Sequence, residues 1–219
     1  MLAMQIFTFK KVDSPRLLQE SFKVRYQVYC KERNFISEED CPQRSERDKF
    51  DDHSLHFVAL DSQESVVGTV RLILPTSLAF PIEQFCPHVK FRDLDIDRDK
   101  AAEVSRLVIS KILRRRVGSE LRYVAGITNG QLKSGNNREL SKHIMPMAFG
   151  LYRELYQESI RNGIRYWFAL MEKKLWLLSK MHGIIFKPIG EKVNCFGLVQ
   201  PYVADLFQIK RIPTNYFWS

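Results

Sequence analysis

Two rhythms of apolar and polar positions run along the chain, and they place its elements. Ser14-Pro15 marks a helix start: serine suits the N-cap, and proline suits the first helical position, where an N–H would be orphaned anyway. Wound at about 100° per residue, residues 15 to about 30 gather Leu18, Phe22 and Tyr29 on one side, flanked by Leu17, Val24 and Val28. Arg25 falls in the middle of that apolar sector. Two readings stay open. Its stem covers the core while its head reaches water, or the guanidinium is buried and meets carboxylates inside a site.

Period-two patterns follow. Residues 55–61 (LHFVALD) and 66–74 (VVGTVRLIL) read as an antiparallel hairpin, turned at residues 62–65 and stopped at Pro75. In the second strand Val67, Thr69, Arg71 and Ile73 share a face, and the other face is apolar or glycine. Arg71 interrupts this pattern, unless it faces solvent at a strand edge. Residues 102–110 (AEVSRLVIS) read as a central strand. Its Glu103 and Arg106 lie on opposite faces unless a bulge intervenes. Met145, Phe149, Tyr152 and Tyr156 then mark a helix that closes at Asn162-Gly163. RYWFALM is a strand, EKKLWLLSKMHG a short helix ending in Gly183, and IIFKPIG and the segments up to Leu206 supply further strands.

Three stretches lack such periodicity. Residues 31–54 form a long loop bearing Glu38, Glu39, Asp40, Asp48, Asp51 and Asp52. A loop of this length is usually functional when ordered, although charge runs usually end as solvated surface. Residues 75–100 are irregular, with Pro75, Pro81 and Pro87. Residues 111–142 are strongly basic, and their piece QLKSGNNRELS reads as mobile. The element order predicts a mixed α/β fold, one sheet with helices on its faces, in a single domain over residues 1–219.

Composition narrows the function classes. With 45% hydrophobic and 27% charged residues the chain supports a core and is not globally disordered. No segment approaches the ~20 apolar residues of a membrane span, and the N-terminus lacks the signal-peptide order. The expectation is a soluble, cytoplasmic protein. Cys30, Cys41, Cys86 and Cys195 show no CxxC and no metal spacing, so they are expected to be scattered reduced thiols, with no metal site. The net charge of +9 points to an anionic partner: nucleic acid, membrane surface, phosphorylated cofactor or acidic protein.

The ordered set Arg25-x-x-Val28-Tyr29, Phe35, Asp48-x-x-Asp51, Gly68-x-x-Arg71-Leu72 and Glu103-x-Ser105-Arg106 resembles the acyl-homoserine-lactone (autoinducer) synthases. It is also similar to the long-chain N-acyl amino acid synthases and the acyltransferases of PEP-CTERM/exosortase systems. All have the GNAT fold. The match spans residues 25–106; the second half agrees only in element order. The resemblance implies that Arg25, Asp48, Asp51, Arg71, Glu103 and Arg106 form a charged cluster that orders the acceptor pocket, with Phe35 and Ser105 also in contact with substrate. Buried arginines need carboxylate partners, which accounts for Arg25 and Arg71 standing where apolar residues belong.

The implied reaction is attack of a primary amine on the thioester of a fatty acyl donor. A carboxylate must take the amine's proton, and Glu103 is the candidate; the competing reading is a structural salt bridge to Arg106 or Arg25. No cofactor is implied beyond the donor, acyl carrier protein or acyl-coenzyme A, as co-substrate. The loop Arg115-Arg116-Val117-Gly118-Ser119-Glu120 matches the GNAT coenzyme A loop only in part, because Glu120 replaces a small residue. That favours an acidic acyl carrier protein, met by Arg114, Arg115 and Arg116. The acceptor is expected to be a small amine or amino acid rather than S-adenosylmethionine, because Phe35 stands where those synthases carry a tryptophan, the better face for a sulfonium. The alternatives are an acetyl-coenzyme A-dependent N-acetyltransferase, an acyl-homoserine-lactone synthase, and a basic nucleic-acid- or membrane-binding module. The last falls behind because residues 111–142 hold Tyr123 as their only aromatic and show no nucleic-acid-binding motif. No membrane span is expected, though peripheral membrane contact stays open.

Overall fold

A computed structural model describes residues 7–110, 137–181 and 183–209. Among these residues eight strands form a mixed sheet: β1 (Thr8–Lys11), β2 (Ser54–Leu60), β3 (Val66–Ile73), β4 (Ala101–Ile109), β5 (Tyr166–Met171), β6 (Lys187–Pro188), β7 (Val193–Asn194) and β8 (Leu198–Asp205). Their order is β1-β2-β3-β4-β5-β8-β6, with β7 paired to β8. The α-helices among the described residues are α1 (Pro15–Tyr26), α2 (Pro81–Phe85), α3 (Asn137–Arg161) and α4 (Lys173–Met181). The predicted hairpin, central strand and later helices are all present. The parallel pair β4/β5 requires a crossover, and α3 lies in that connection.

The differences from expectation are local. β1, four residues long and unforeseen, pairs antiparallel with β2 from Thr8↔Leu60 to Lys11↔Phe57. The first helix does not simply run to Cys30: α1 ends at Tyr26 and continues as a π-turn over Gln27–Glu32. α3 begins at Asn137, inside the piece expected to be mobile. Residues 184–190 supply only the two-residue β6.

Two compact units share the chain in interleaved stretches. One comprises Met1–Lys49, His56–Val70 and Arg106–Glu154; the other comprises Phe50–Leu55, Arg71–Ser105 and Leu155–Ser219. In the first, Ser14 caps α1 by accepting from the Leu17 amide, and Leu17, Val58, Leu60 and Val66 pack together. Phe9 of β1 lies against Gly150 of α3 so closely that a Cβ there would sit 2.3 Å from its ring. Gly68 lies where a Cβ would come within 3.3 Å of the Val108 carbonyl, a physical reason for the glycine in that motif.

In the second unit Phe50, Ile73, Phe80, Ile82, Phe91, Ala101 and Phe168 form the core. Phe91 meets Phe168 with ring centroids 4.4 Å apart. The irregular stretch before β4 is ordered by Arg98, which donates to the carbonyls of Thr76 and Leu78 and to Glu83 and covers the Phe80 ring at 4.5 Å. Buried Trp167 donates its indole N–H to Ser159 Oγ at 2.9 Å.

Candidate active site

The geometry settles the two open arginines. Arg25 has no exposed surface and Arg71 is 1% exposed, so neither is a snorkelling nor a strand-edge side chain. Each is matched by a buried carboxylate in its own unit, as the desolvation cost of a guanidinium demands.

In the first unit the carboxylate is Glu46. Arg25 donates from Nε to Glu46 Oε2 at 2.5 Å. Arg106 donates to the same carboxylate from Nη2 at 2.9 Å and from Nε at 3.2 Å, and to Asp48 Oδ2 at 2.9 Å. Glu46 is therefore a buried anion between two guanidinium groups. Burial pushes its carboxyl up, but the charges of Arg106 and Arg25 and their hydrogen bonds outweigh burial and hold it below the ordinary carboxylate range. Arg106 is correspondingly locked in its charged form: burial opposes the charge, and Glu46, Tyr29 and Asp48 restore it. Its guanidinium also lies over the Tyr29 ring at 5.2 Å.

Aromatic groups flank this cluster. Tyr29 and Phe35 have ring centroids 6.4 Å apart, and the Phe35 amide donates to the Tyr29 carbonyl at 2.8 Å. Arg33 covers the Phe35 ring at 5.0 Å. The π-turn brings these groups into place. Its wider winding delivers the Arg33 amide to the Val28 carbonyl five residues back, and π-turns recur at functional sites. Burial, foremost, raises the Tyr29 phenol above its usual value, so it stays neutral.

In the second unit Arg71 donates from Nη1 to Asp51 Oδ1 at 2.8 Å and from Nε to Ser105 Oγ at 3.0 Å. Asp51 sits in a 3-10 turn just before β2. Glu103 is 2% exposed and accepts the Ile82 amide at 2.8 Å through Oε2. Pro81 occupies the first helical position of α2 and has no N–H. Glu103 therefore takes the first available donor of that short helix and acts as its distant cap. The β4/β5 register runs over Ala101–Glu103 and stops there, while β5 keeps its antiparallel partner β8 as far as Met171. Glu103 stands at the end of the parallel pairing.

Arg106 itself has φ +55°, the left-handed region that costs a residue with a Cβ about 1–3 kcal/mol. The irregular point of β4 is thus Arg106 itself.

The predicted residues therefore fall into local groups: Arg25, Asp48 and Arg106; Asp51, Arg71 and Ser105; Phe35 against Arg33 and Tyr29; Glu103 on the α2 amide. Glu46 is the member that sequence reasoning missed, and it binds both arginines of the first group. Its signal was present but weak, since it is one acid within an SERD run of alternating charge. Arg114, Arg115 and Arg116 lie outside the described residues. Among the described residues no cluster of His, Cys, Asp or Glu could hold a metal ion, and no helix is long and apolar enough to cross a membrane.

Residues 24–123 match the family model described as an acetyltransferase (GNAT) domain. Over nearly the whole chain the fold is that of several solved structures. One is the AHL synthase LasI, at 15% identity and TM-score 0.65, covering 94% of this chain and 95% of that one. Another is MesI, described as a CoA-dependent acyl-homoserine lactone synthase, at 19% and 0.65, covering 97% and 96%. A third is FeeM, an N-acyl amino acid synthase from uncultured soil microbes, at 12% and 0.66, covering 98% and 97%. None of the curated proteins matches in sequence. At these identities the structural likeness speaks for the fold.

Proposed function

We propose that this chain, an N-acyltransferase of the GNAT fold, moves a long-chain fatty acyl group from an acyl carrier protein thioester to a small amine or amino acid. The observation that carries the reading is the buried Arg25–Glu46–Arg106–Asp48 network beside Tyr29 and Phe35. Such a network is costly to bury and adds less stability than packed apolar residues of the same volume. It does fix the charge and orientation of polar groups, which an acceptor site requires.

The chemistry follows from the charges. The acceptor nitrogen attacks the thioester carbonyl carbon, a C–N bond forms, the C–S bond breaks, and the carrier leaves as its thiol. The nitrogen must be neutral to attack, so its surplus proton goes to a carboxylate, directly or through water. Glu103 takes that role: the Ile82 amide fixes its orientation, and it stands where the β4/β5 pairing ends. The developing oxyanion is received by backbone N–H donors of the same part of β4.

The acceptor is a neutral or anionic amine rather than S-adenosylmethionine. The Arg33 guanidinium already lies over the Phe35 ring, so a sulfonium at that ring meets a like charge as well as a weaker aromatic face. Arg25, Arg71 and Arg106 are each engaged by carboxylates of the chain itself. The acceptor's carboxylate is recognised by one of the arginines of the site, whose charges favour a small amino acid over a sulfonium.

The test is a donor–acceptor matrix. Purified protein is incubated with long-chain acyl carrier protein, the matching acyl-coenzyme A or acetyl-coenzyme A, each against an amino-acid panel and S-adenosylmethionine, with products read by mass spectrometry. The expected result is N-acyl amino acid from the carrier-bound donor, lost in Glu103→Gln. A better kcat/KM with acetyl-coenzyme A, or faster formation of acyl-homoserine lactone, overturns the assignment.

A further inference from the structure

Cys30 and Cys41 stand eleven residues apart in the sequence with nothing to mark them as a pair, yet their Sγ atoms lie 3.3 Å apart. Both are buried, at 2% and 4% exposure, in a small cluster with Tyr26 and the partly buried Ile36. Cys30 belongs to the π-turn, and Cys41 opens the 3-10 turn Pro42–Arg44. The Cys41 amide is held by the Glu38 carbonyl at 3.1 Å, and Glu38 in turn accepts from the Tyr26 hydroxyl at 2.8 Å. The two sulfurs are thus positioned by separate backbone anchors that converge on one another.

We propose that Cys30 and Cys41 are a redox modification site, at which an oxidant joins them in an intrachain disulfide that ties the π-turn to the loop bearing Glu46 and Asp48. Closing 3.3 Å to the ~2.05 Å of a disulfide needs an approach of little more than about 1 Å. In the step one thiolate attacks a peroxide oxygen and the O–O bond breaks: the attacked oxygen stays on sulfur as a sulfenic acid, and the other leaves, protonated, as water or an alcohol. The second thiol then displaces water from it, forming the S–S bond. Two electrons and two protons leave the thiols; the peroxide is reduced. A small disulfide serves instead by exchange, leaving as two thiols.

The setting dictates the tempo. The thiolate is the nucleophile, and burial, foremost, with the hydrogen bond to Cys41 and the charges of Glu46 and Glu38, pushes the Cys30 thiol up to about 12. The reduced pair is therefore slow to react at neutral pH and survives brief exposure. It accumulates as disulfide under sustained or alkaline oxidation, and the bridge closes a ring around the segment that carries Phe35. Its consequence for acyl transfer rests on the proposed function, but its existence does not.

The test uses the intact protein treated with hydrogen peroxide or oxidised glutathione across a pH series, then denatured, alkylated and digested without reductant. The expected product is a Cys30–Cys41 cross-linked peptide, two hydrogens lighter than the sum of its parts, formed faster as pH rises and reversed by dithiothreitol. A raised thermal midpoint of the oxidised protein should accompany it, absent in Cys30→Ala and Cys41→Ala. Quantitative alkylation of both cysteines after oxidation overturns the proposal, as does cross-linking of either to Cys86 or Cys195, or stable glutathione adducts in place of the bridge. The peptide map of the unmutated protein decides even if either variant fails to fold. Loss of acyl transfer from any cause leaves that map unchanged.

Discussion

Glu46 shows how much one side chain can organise. It is the shared counter-ion of Arg25 and Arg106, so Glu46→Gln leaves two desolvated cations short of a charge. Breaking a buried pair this way costs about 3–5 kcal/mol, and we expect that loss in denaturant titration, with partial recovery in Glu46→Asp. The sign of the pH effect follows from its depressed carboxyl. Such a group stabilises the fold above its unfolded value of ~4.3, and the contribution disappears as pH falls through the lower folded value. Acid titration of the wild type should show this loss, and Glu46→Gln should flatten the curve below about pH 4.3. Cys30 runs the other way: its raised thiol stabilises below the unfolded value of ~8.5 and loses that contribution towards about 12. Cys30→Ala should remove that alkaline sensitivity. Arg25 and Arg71 were legible in the sequence because a charge in an apolar sector needs explaining. Glu46 was not, because an acid among charged neighbours gives no sign that its backbone is carried inward.

At the scale of elements, periodic segments were readable and short or strained ones were not. The β2/β3 hairpin and β4 follow their alternation, and α3 and α4 end at the expected glycines, Gly163 and Gly183, both at positive φ. β1 was missed because four residues offer two periods of alternation at most, and its pairing with β2 is supplied by a distant partner. The π-turn was missed because a single extra residue per turn leaves the apolar spacing nearly unchanged. The packing of β1 makes a direct prediction. A methyl at Gly150 would sit 2.3 Å from the Phe9 ring, so Gly150→Ala should destabilise by roughly 1–3 kcal/mol through overpacking, despite alanine's better helix propensity. Adding Phe9→Ala should remove most of the clash, so the double variant should be less destabilised than additivity predicts, as thermal unfolding would show.

For the whole molecule the excess of +9 bears on association rather than fold. Reversing the charges at Arg114, Arg115 and Arg116 should raise KM for acyl carrier protein with kcat nearly unchanged, and the effect should shrink as salt is added; steady-state kinetics at two ionic strengths would measure both. The interleaving of the two compact units has a consequence in time. Each is gathered from three separated stretches. A chain emerging from the ribosome cannot finish the first unit until residue 154 is made, nor the second until the β8 residues that pair with β5 arrive. Long-range pairing of this kind slows folding, so nascent chains stopped before β8 should stay protease-sensitive through the second unit, while the first, whose residues are all made by residue 154, has a head start.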